Sequence, residues 1–227
     1  HLVDVVCHFE GDRQTSLRFV RSLKNRFGPT DEVGCFEMTG EGIREVADPS
    51  GLFLSRPEVP VSGTCVTVTV EGRRALIAEV QALVVKSSSP QPRRVVNGVD
   101  SSRVAMLLAV LERRAGLRVG EMDVYVSTVG GVRITEPAAD LAIAVAIASA
   151  VQDKPIAHNL VAYGEISLAG EIRAVTNGKQ RASEASRLGF LRSVDSEVGD
   201  LKAALADFLS GAASRLAAGG SQGAIAR

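Results

Sequence analysis

The sequence has little that would tie it to a metal, a membrane or a secretion route. Only three cysteines occur in 227 residues, Cys7, Cys35 and Cys65, widely spaced and each within an apolar run. No pair has metal-ligand spacing, and His1, His8 and His158 do not cluster near them. They read as buried free thiols. An odd number of cysteines without a framework suits a reducing compartment, so the expected location is cytoplasmic. No apolar stretch reaches about 18 residues, which argues against a transmembrane helix. The opening His1-Leu2-Val3-Asp4 puts no basic segment ahead of a hydrophobic one and gives no signal-peptide pattern. It also lacks an initiating Met and begins in mid-pattern, as a piece of a longer protein would. Aromatic residues make up only 4%. Net charge is absent too, with 26 Lys and Arg against 26 Asp and Glu. That balance, taken alone, disfavours a nucleic-acid partner, but a sum does not say where charges sit. What is present is 45% hydrophobic residues, enough for the cores of one large or two ordinary domains and too many for general disorder.

Turn-forming residues divide the chain. Leu2 to Phe9, Leu17 to Phe27 and Val33 to Met38 read as strands, separated by Glu10-Gly11-Asp12 and Gly28-Pro29 and closed by Thr39-Gly40-Glu41-Gly42. Three strands with so little helix expose an apolar face, as the edge of a larger sheet would. After the turn at Asp48-Pro49-Ser50, residues 56–62 form a linker beginning Arg56-Pro57-Glu58. A second domain spans 63–210. In it, Thr64 to Val70 and Ala75 to Val85 pair through a Glu71-Gly72 turn, and Ser87 to Pro92 is a loop. Asp100 or Ser101 caps a helix carrying Val104, Leu107, Leu108, Leu111 and Ala115, ended by Gly116. Met122 to Val129 is a strand and Pro137 to Val151 a nearly uniformly apolar core helix. Val161 to Ser167 and Glu171 to Val175 form a hairpin. Gly178 to Leu188 is a helix, Phe190 to Val194 a strand and Gly199 to Leu209 a last helix. The Gly/Ala/Ser stretch 211–227 is expected to be a mobile tail.

Lys24-Asn25-Arg26-Phe27-Gly28 is the most specific short motif. On a strand, Lys24 and Arg26 share one face, and two cations there can engage a phosphate, the arginine with its planar fork. A solvated basic strand edge accounts for the same spacing. The pentapeptide, with Phe9-Glu10-Gly11-Asp12 before it and Phe36-Glu37-Met38-Thr39 after it, resembles the RadA/Sms family of bacterial recombination proteins. Asn97-Gly98, Val129-Gly130-Gly131-Val132-Arg133 and Glu136 to Leu141 strengthen the likeness, which runs from about Leu2 to Phe208. The resemblance implies DNA repair and homologous recombination through ATP-driven branch migration by a hexameric ring. It also implies duplex DNA and a RecA-type recombinase as partners. It implies an α/β (α+β) fold, in which residues 1–55 are the last strands of a RecA-like sheet and 63–210 a Lon-protease-like domain of the ribosomal protein S5 domain 2-like type. The family's four-cysteine zinc finger and Gly-rich phosphate loop have no counterpart here, since neither a CxxC pair nor GxxxxGK[ST] occurs. ATP with Mg²⁺ and zinc are therefore expected of the full-length parent, and no cofactor of this piece.

The resemblance to Lon places that family's nucleophilic serine, in its Pro-Ser-Ala-Gly segment, at Ala138 of Pro137-Ala138-Ala139-Asp140, and its lysine near Lys179. A neutral lysine would take the serine proton, but an alanine has no lone pair with which to attack a carbonyl. No catalytic residue is assigned. Ser127, Thr128 and Thr135 lie off the helix start, Asp140 is explained as a helix-dipole partner, and Glu165 and Glu171 as charged edges of a hairpin. The alternatives are a serine–lysine peptidase with a displaced nucleophile and an oligomerisation module without DNA contact.

Resolved along the chain, charge is uneven. From Lys86 to Arg118 seven basic residues face two acids, an excess of five; from Pro29 to Glu58 seven acids face two bases. Arg93, Arg94, Arg103, Arg113, Arg114 and Arg118 are the candidates for phosphate contact, with a solvated helix face and loop as the alternative. Aromatics do not interleave with them, so stacking on single-stranded bases is poorly supported.

Overall fold

β-branched and aromatic residues lying between glycine and proline breaks set the strands. The computed structural model describes residues 2–11, 16–30, 33–46, 53–55, 59–71, 74–190 and 192–209. The turns at Asp12, Asp48-Pro49-Ser50 and Gly72, the acids Asp31 and Glu32, the linker residues Arg56, Pro57 and Glu58, and the tail 211–227 lie outside them.

The first strands, β1 (Val5–Glu10), β2 (Leu17–Asn25), β3 (Val33–Thr39) and β4 (Gly42–Glu45), form an antiparallel meander in that order. The fourth strand is too short and too polar to show a period in the sequence. It exists because a tight turn joins it to β3, where Thr39 Oγ1 donates to Gly42 O at 3.0 Å and accepts from the Glu41 N–H. The β1–β2 register slips between Val6 and Cys7, leaving Leu23 unmatched. Leu17, Phe19 and Cys35 share one face, directed at the main core. Phe9, Met38 and Ile43 share the other, which is open to solvent. Cys35 and Cys65 are buried, whereas Cys7 is exposed, because the face it occupies has no covering layer.

The main sheet has six strands: β5 (Thr64–Glu71), β6 (Arg74–Lys86), β7 (Arg94–Asn97), β8 (Met122–Thr128), β9 (Leu160–Ala162) and β12 (Arg192–Val194). Their order is β12-β9-β5-β6-β8-β7, antiparallel at β5–β6 and β6–β8 and parallel elsewhere. The α/β class expected from the sequence is the one found. On one face lie α1 (Ser101–Ala115), α2 (Asp140–Gln152) and α4 (Leu201–Leu209); α3 (Gly178–Arg187) covers part of the other. Alternation along β6 serves both faces: Ala78, Val80 and Ala82 join the larger core, Ala75 and Ile77 the smaller one beneath α3. Where α3 does not reach, Leu83 and Val85 are exposed.

The Asp100 side chain caps α1, accepting from the Arg103 N–H at 2.7 Å, and Gly116 ends it in a left-handed conformation. A single 3₁₀ turn, Pro137–Ala139, leads into α2, whose residues Asp140 to Ser149 are all buried. A helix apolar on every side belongs in the middle layer, and α2 contacts β5 and β6 on one side and α1 and α4 on others.

Two readings need correcting. β7 is a strand where the sequence showed only a loop and a helix start; it is four residues long, at a sheet edge, and mostly exposed. The expected strand 161–167 is two elements. Leu160–Ala162 enters the main sheet, while β10 (Glu165–Ile166) pairs with β11 (Ile172–Arg173) in a separate ribbon. The break falls at Gly164, whose N–H donates to Ala138 O at 2.8 Å and whose carbonyl accepts from the Leu141 N–H at 3.1 Å. The start of α2 thus claims the backbone that would have continued the sheet. A Cβ at Gly164 would lie 2.7 Å from Ile172 Cγ2, so only glycine allows the ribbon to fold this close.

Residues 53–55 connect the two sheets. β8 ends at Thr128, opposite Val80 of β6, and the place beyond it is taken by this segment: the Glu79 N–H donates to Phe53 O at 3.0 Å. Phe53 is buried in the same cluster as Leu17 and Cys35.

Candidate functional site

Three places carry the chemistry read from the sequence. The first is the turn from Glu136 to Asp140 that leads into α2. Ala138 is 3% exposed, and its carbonyl is held by Gly164. On one side of it Asp140, 1% exposed, accepts from Arg103 Nε at 2.8 Å, from Arg103 Nη2 and from the Ile166 N–H at 3.0 Å. Burial pushes the Asp140 carboxyl above its usual range, and the hydrogen bonds and charge of Arg103 offset part of that rise. On the other side Glu136 takes both Nη groups of Arg181, at 2.8 and 2.6 Å, and the Val70 N–H at 2.8 Å. Burial works against this carboxylate, but Arg181, Val70 and Thr69 outweigh it and hold its pKa below the usual value. Arg181 is fully buried and also donates to the carbonyls of Val68 and Thr176.

Lys179 is exposed and lines a cavity of about 390 Å³ with Tyr163 and Arg192; Ala138 is not part of that wall. Ser127 and Thr135 line other clefts, and Thr128 Oγ1 donates to Val132 O. Glu165 lies 3.6 Å from Arg103, and Glu171 is exposed. The two acids are not brought together as an acid–base pair.

The second place is the end of β2. The strand stops at Asn25, whose side chain accepts from the Phe27 N–H at 3.0 Å and donates to Pro29 O. Arg26 and Phe27 therefore leave the strand period that would have put Lys24 and Arg26 side by side on a sheet face. Both cations instead engage the segment before β1: Lys24 Nζ donates to Val3 O, and Arg26 Nη1 pairs with Asp4 Oδ1 at 3.2 Å. Phe27 and Gly28 are exposed. Exposed pairs of this kind contribute little, so the cations stay available for another anion.

The third place is the end of the main sheet where β6 finishes and β7 and β8 begin. Lys86 stands opposite Met122. Arg94 reaches the carbonyls of Val119, at 3.0 Å, and Met122. The Arg93 N–H donates to Asp123 Oδ1 at 2.7 Å, and this bond, with the Ser87 hydroxyl and the two arginine charges, holds the Asp123 carboxyl below its usual range. Arg113 and Arg114 occupy the last turn of α1, with Arg118 just beyond it. The Glu112 carboxylate lies against Gly120 and brings that turn to the same end. Arg114 Nε donates to Leu168 O at 3.4 Å. Of the six candidate arginines, Arg93, Arg113 and Arg118 present exposed guanidinium groups here. Arg94 braces carbonyls, and Arg103 turns inward to Asp140.

Part of the chain matches a known family. Residues 117–194 fit the model of the Lon protease (S16) C-terminal proteolytic domain. Over 194 residues the chain is 56% identical to the DNA repair protein RadA of Mycolicibacterium smegmatis, covering 86% of this chain and 41% of that protein. It is 53% identical to RadA of Mycobacterium tuberculosis over 84% of the chain and 40% of that protein. With RadA of Escherichia coli the identity is 47%, over 86% and 42%. The chain belongs to the RadA family. It spans about two fifths of the length of the curated RadA relatives it matches.

Among the described residues, no three His, Cys, Asp or Glu side chains are grouped to hold a metal ion. No described helix is long and apolar enough to cross a membrane.

The ion pairs Glu136–Arg181 and Arg103–Asp140 escaped the sequence reading, since their partners are 45 and 37 positions apart. Pro137-Ala138-Ala139 between two acids was the one local signal, and it pointed to α2 and not to their partners.

Proposed function

We propose that this chain serves DNA repair and homologous recombination as part of an ATP-dependent, ring-forming branch-migration protein, in which it is the oligomerisation and duplex-DNA-binding scaffold. The observation that carries the reading is the collection of Arg93, Arg113 and Arg118, with Lys86, at one end of the main sheet. They come from different elements, and a positive surface of this kind suits phosphate contact without base readout. Lys24 and Arg26, held only by exposed partners, suit a cation lent across a subunit boundary to the phosphates of a nucleotide bound elsewhere in the ring. ATP, Mg²⁺ and zinc belong in this reading to the rest of the parent protein. Peptidase chemistry is left out of it, because Ala138 supplies no nucleophile and is not among the residues lining the cavity beside Lys179.

Fluorescence anisotropy with a labelled duplex at several salt concentrations tests the reading. Four phosphate contacts, from Lys86, Arg93, Arg113 and Arg118, predict a slope of log affinity against log salt of about −3.6. Charge reversal at Arg93, Arg113 and Arg118 should flatten that slope and leave ring assembly of the full-length protein intact. A slope near zero in the unaltered chain, or lost assembly with unchanged DNA affinity, supports the oligomerisation-only alternative and overturns this one.

A further inference from the structure

Glu79 is an unusual residue for the middle of a buried strand. It is 3% exposed, and its carboxylate accepts from three donors: the Ser55 N–H at 2.8 Å, the Ser55 hydroxyl, and Gln81 Nε2 at 3.0 Å. All three are neutral, and among the described residues no lysine, arginine or histidine forms an ion pair with it. A buried carboxylate is ordinarily matched by a cation, because neutral donors satisfy its lone pairs but leave its charge uncompensated. The bonds to Ser55 account for the fastening of residues 53–55 to β6. A glutamine would avoid the cost of burying a charge, but its single amide oxygen could not accept the Ser55 N–H and hydroxyl bonds that the two carboxylate oxygens now take separately.

Glu79 is one of the residues lining a cleft of about 450 Å³, within the range of ligand-binding cavities. Leu54, Val66, Leu160, Leu188 and Phe190 supply apolar walls. His158, exposed, and Asn159 lie at the cleft as polar groups able to bond a visiting backbone. Cys65 and His158 line the same cleft, but among the described residues no three such ligands are grouped to hold a metal ion. Apolar walls with one anionic group complement an aliphatic stem ending in a cation.

We infer that this cleft is a docking site for an arginine or lysine side chain carried by a partner protein, with the stem against Leu188 and Phe190 and the cationic head on Glu79. The site is separate from the basic end of the sheet, and its partner is a basic protein segment where that surface takes an acidic polymer.

The test is a titration of the full chain with a short arginine-bearing peptide, read by the amide chemical shifts of Cys65, Val66, Leu188 and Gly189. The expected result is saturable shifts at those amides with a dissociation constant on the order of 1 mM. The same peptide with citrulline, the neutral isostere of arginine, should bind at least about tenfold more weakly. Glu79→Gln, in a chain that circular dichroism shows to be folded, should produce a comparable loss for the arginine peptide. Equal binding of the citrulline peptide, undiminished binding to a folded Glu79→Gln chain, or no shift at ~10 mM peptide overturns the proposal. So does tighter binding of spermidine than of the peptide, which would make the cleft a polyamine site. The citrulline comparison uses the unaltered chain, so it decides the matter even where the substitution unfolds the protein.

Discussion

Replacing Arg181 with methionine should unfasten one side of the turn that leads into α2. The arginine is fully buried, makes a bidentate pair with Glu136 and donates to the carbonyls of Val68 and Thr176. Methionine fills much of the same volume but leaves Glu136 without its cation. Breaking a buried pair costs about 3–5 kcal/mol, and the lower figure applies here because the Glu136 side chain is 24% exposed. The two carbonyl bonds add about 1 kcal/mol each. A total of about 5 kcal/mol lowers the melting temperature by about 10–20 °C for a chain of this size. The assay is thermal unfolding followed by circular dichroism across pH. Glu136 has its pKa below the usual value in the folded state. Its contribution is therefore complete above the unfolded-state value of about 4.5 and is lost as pH falls through the folded one. The gap between the unaltered chain and Arg181→Met should be constant from pH 7 to about pH 5 and narrow below that. A gap of less than ~2 °C at pH 7, or one that does not change with acidity, would refute the assignment of Glu136 and Arg181 as a stabilising pair.

Gly98→Ala should be strongly destabilising, by about 3 kcal/mol or more, because φ is +79° there and the new Cβ would sit 1.9 Å from Thr128 Oγ1; chemical denaturation measures it. Ala138→Ser should give no labelling by a serine-directed covalent probe, since the position is buried, its carbonyl is tied to Gly164, and the cavity that Lys179 lines does not include it; labelling that disappears on Lys179→Ala would revive the peptidase alternative. Arg113→Glu with Arg118→Glu should weaken duplex binding about tenfold or more at low salt without changing the melting temperature. Arg103→Glu should do the reverse, lowering stability by about 3–5 kcal/mol by placing a second carboxylate against buried Asp140. If Arg103→Glu is thermally silent, the inward placement of that arginine is wrong.

Arg103 shows where reading the chain stops. Its charge and its position on α1 were plain in the sequence, and so was the helix, because cap, period and terminal glycine agree over positions 100–116. Which way the side chain turns depends on Asp140, which reaches it only after the main sheet and α2 have been assembled. The same holds for Arg181 and Glu136. The α/β class, the helices and the longer strands were legible because each is fixed by a local pattern of its own. β4 and β7, at four residues apiece, have no room for a pattern and exist through pairing alone. The split at Gly164 was hidden for a related reason: an apolar run looks the same whether it continues in one sheet or is captured by a helix start. Charge was legible as a segment and illegible as a surface, since only the packing separates Arg93, Arg113 and Arg118 from arginines with internal partners.

The position of α2 bears on how the chain is made. Synthesis proceeds from the N-terminus, so β5, β6, β7, α1 and β8 all leave the ribosome before this apolar helix does. It emerges onto a sheet already half assembled, with two of its covering layers waiting. β9 and α4 arrive afterwards, the first extending the sheet beside β5 and the second closing the side of α2 that remains open. The most apolar of the described helices is thus one whose shelter is largely translated ahead of it, and a nascent chain that has emerged only as far as Gln152 would still lack the cover that β9, the β10 ribbon strand and α4 bring.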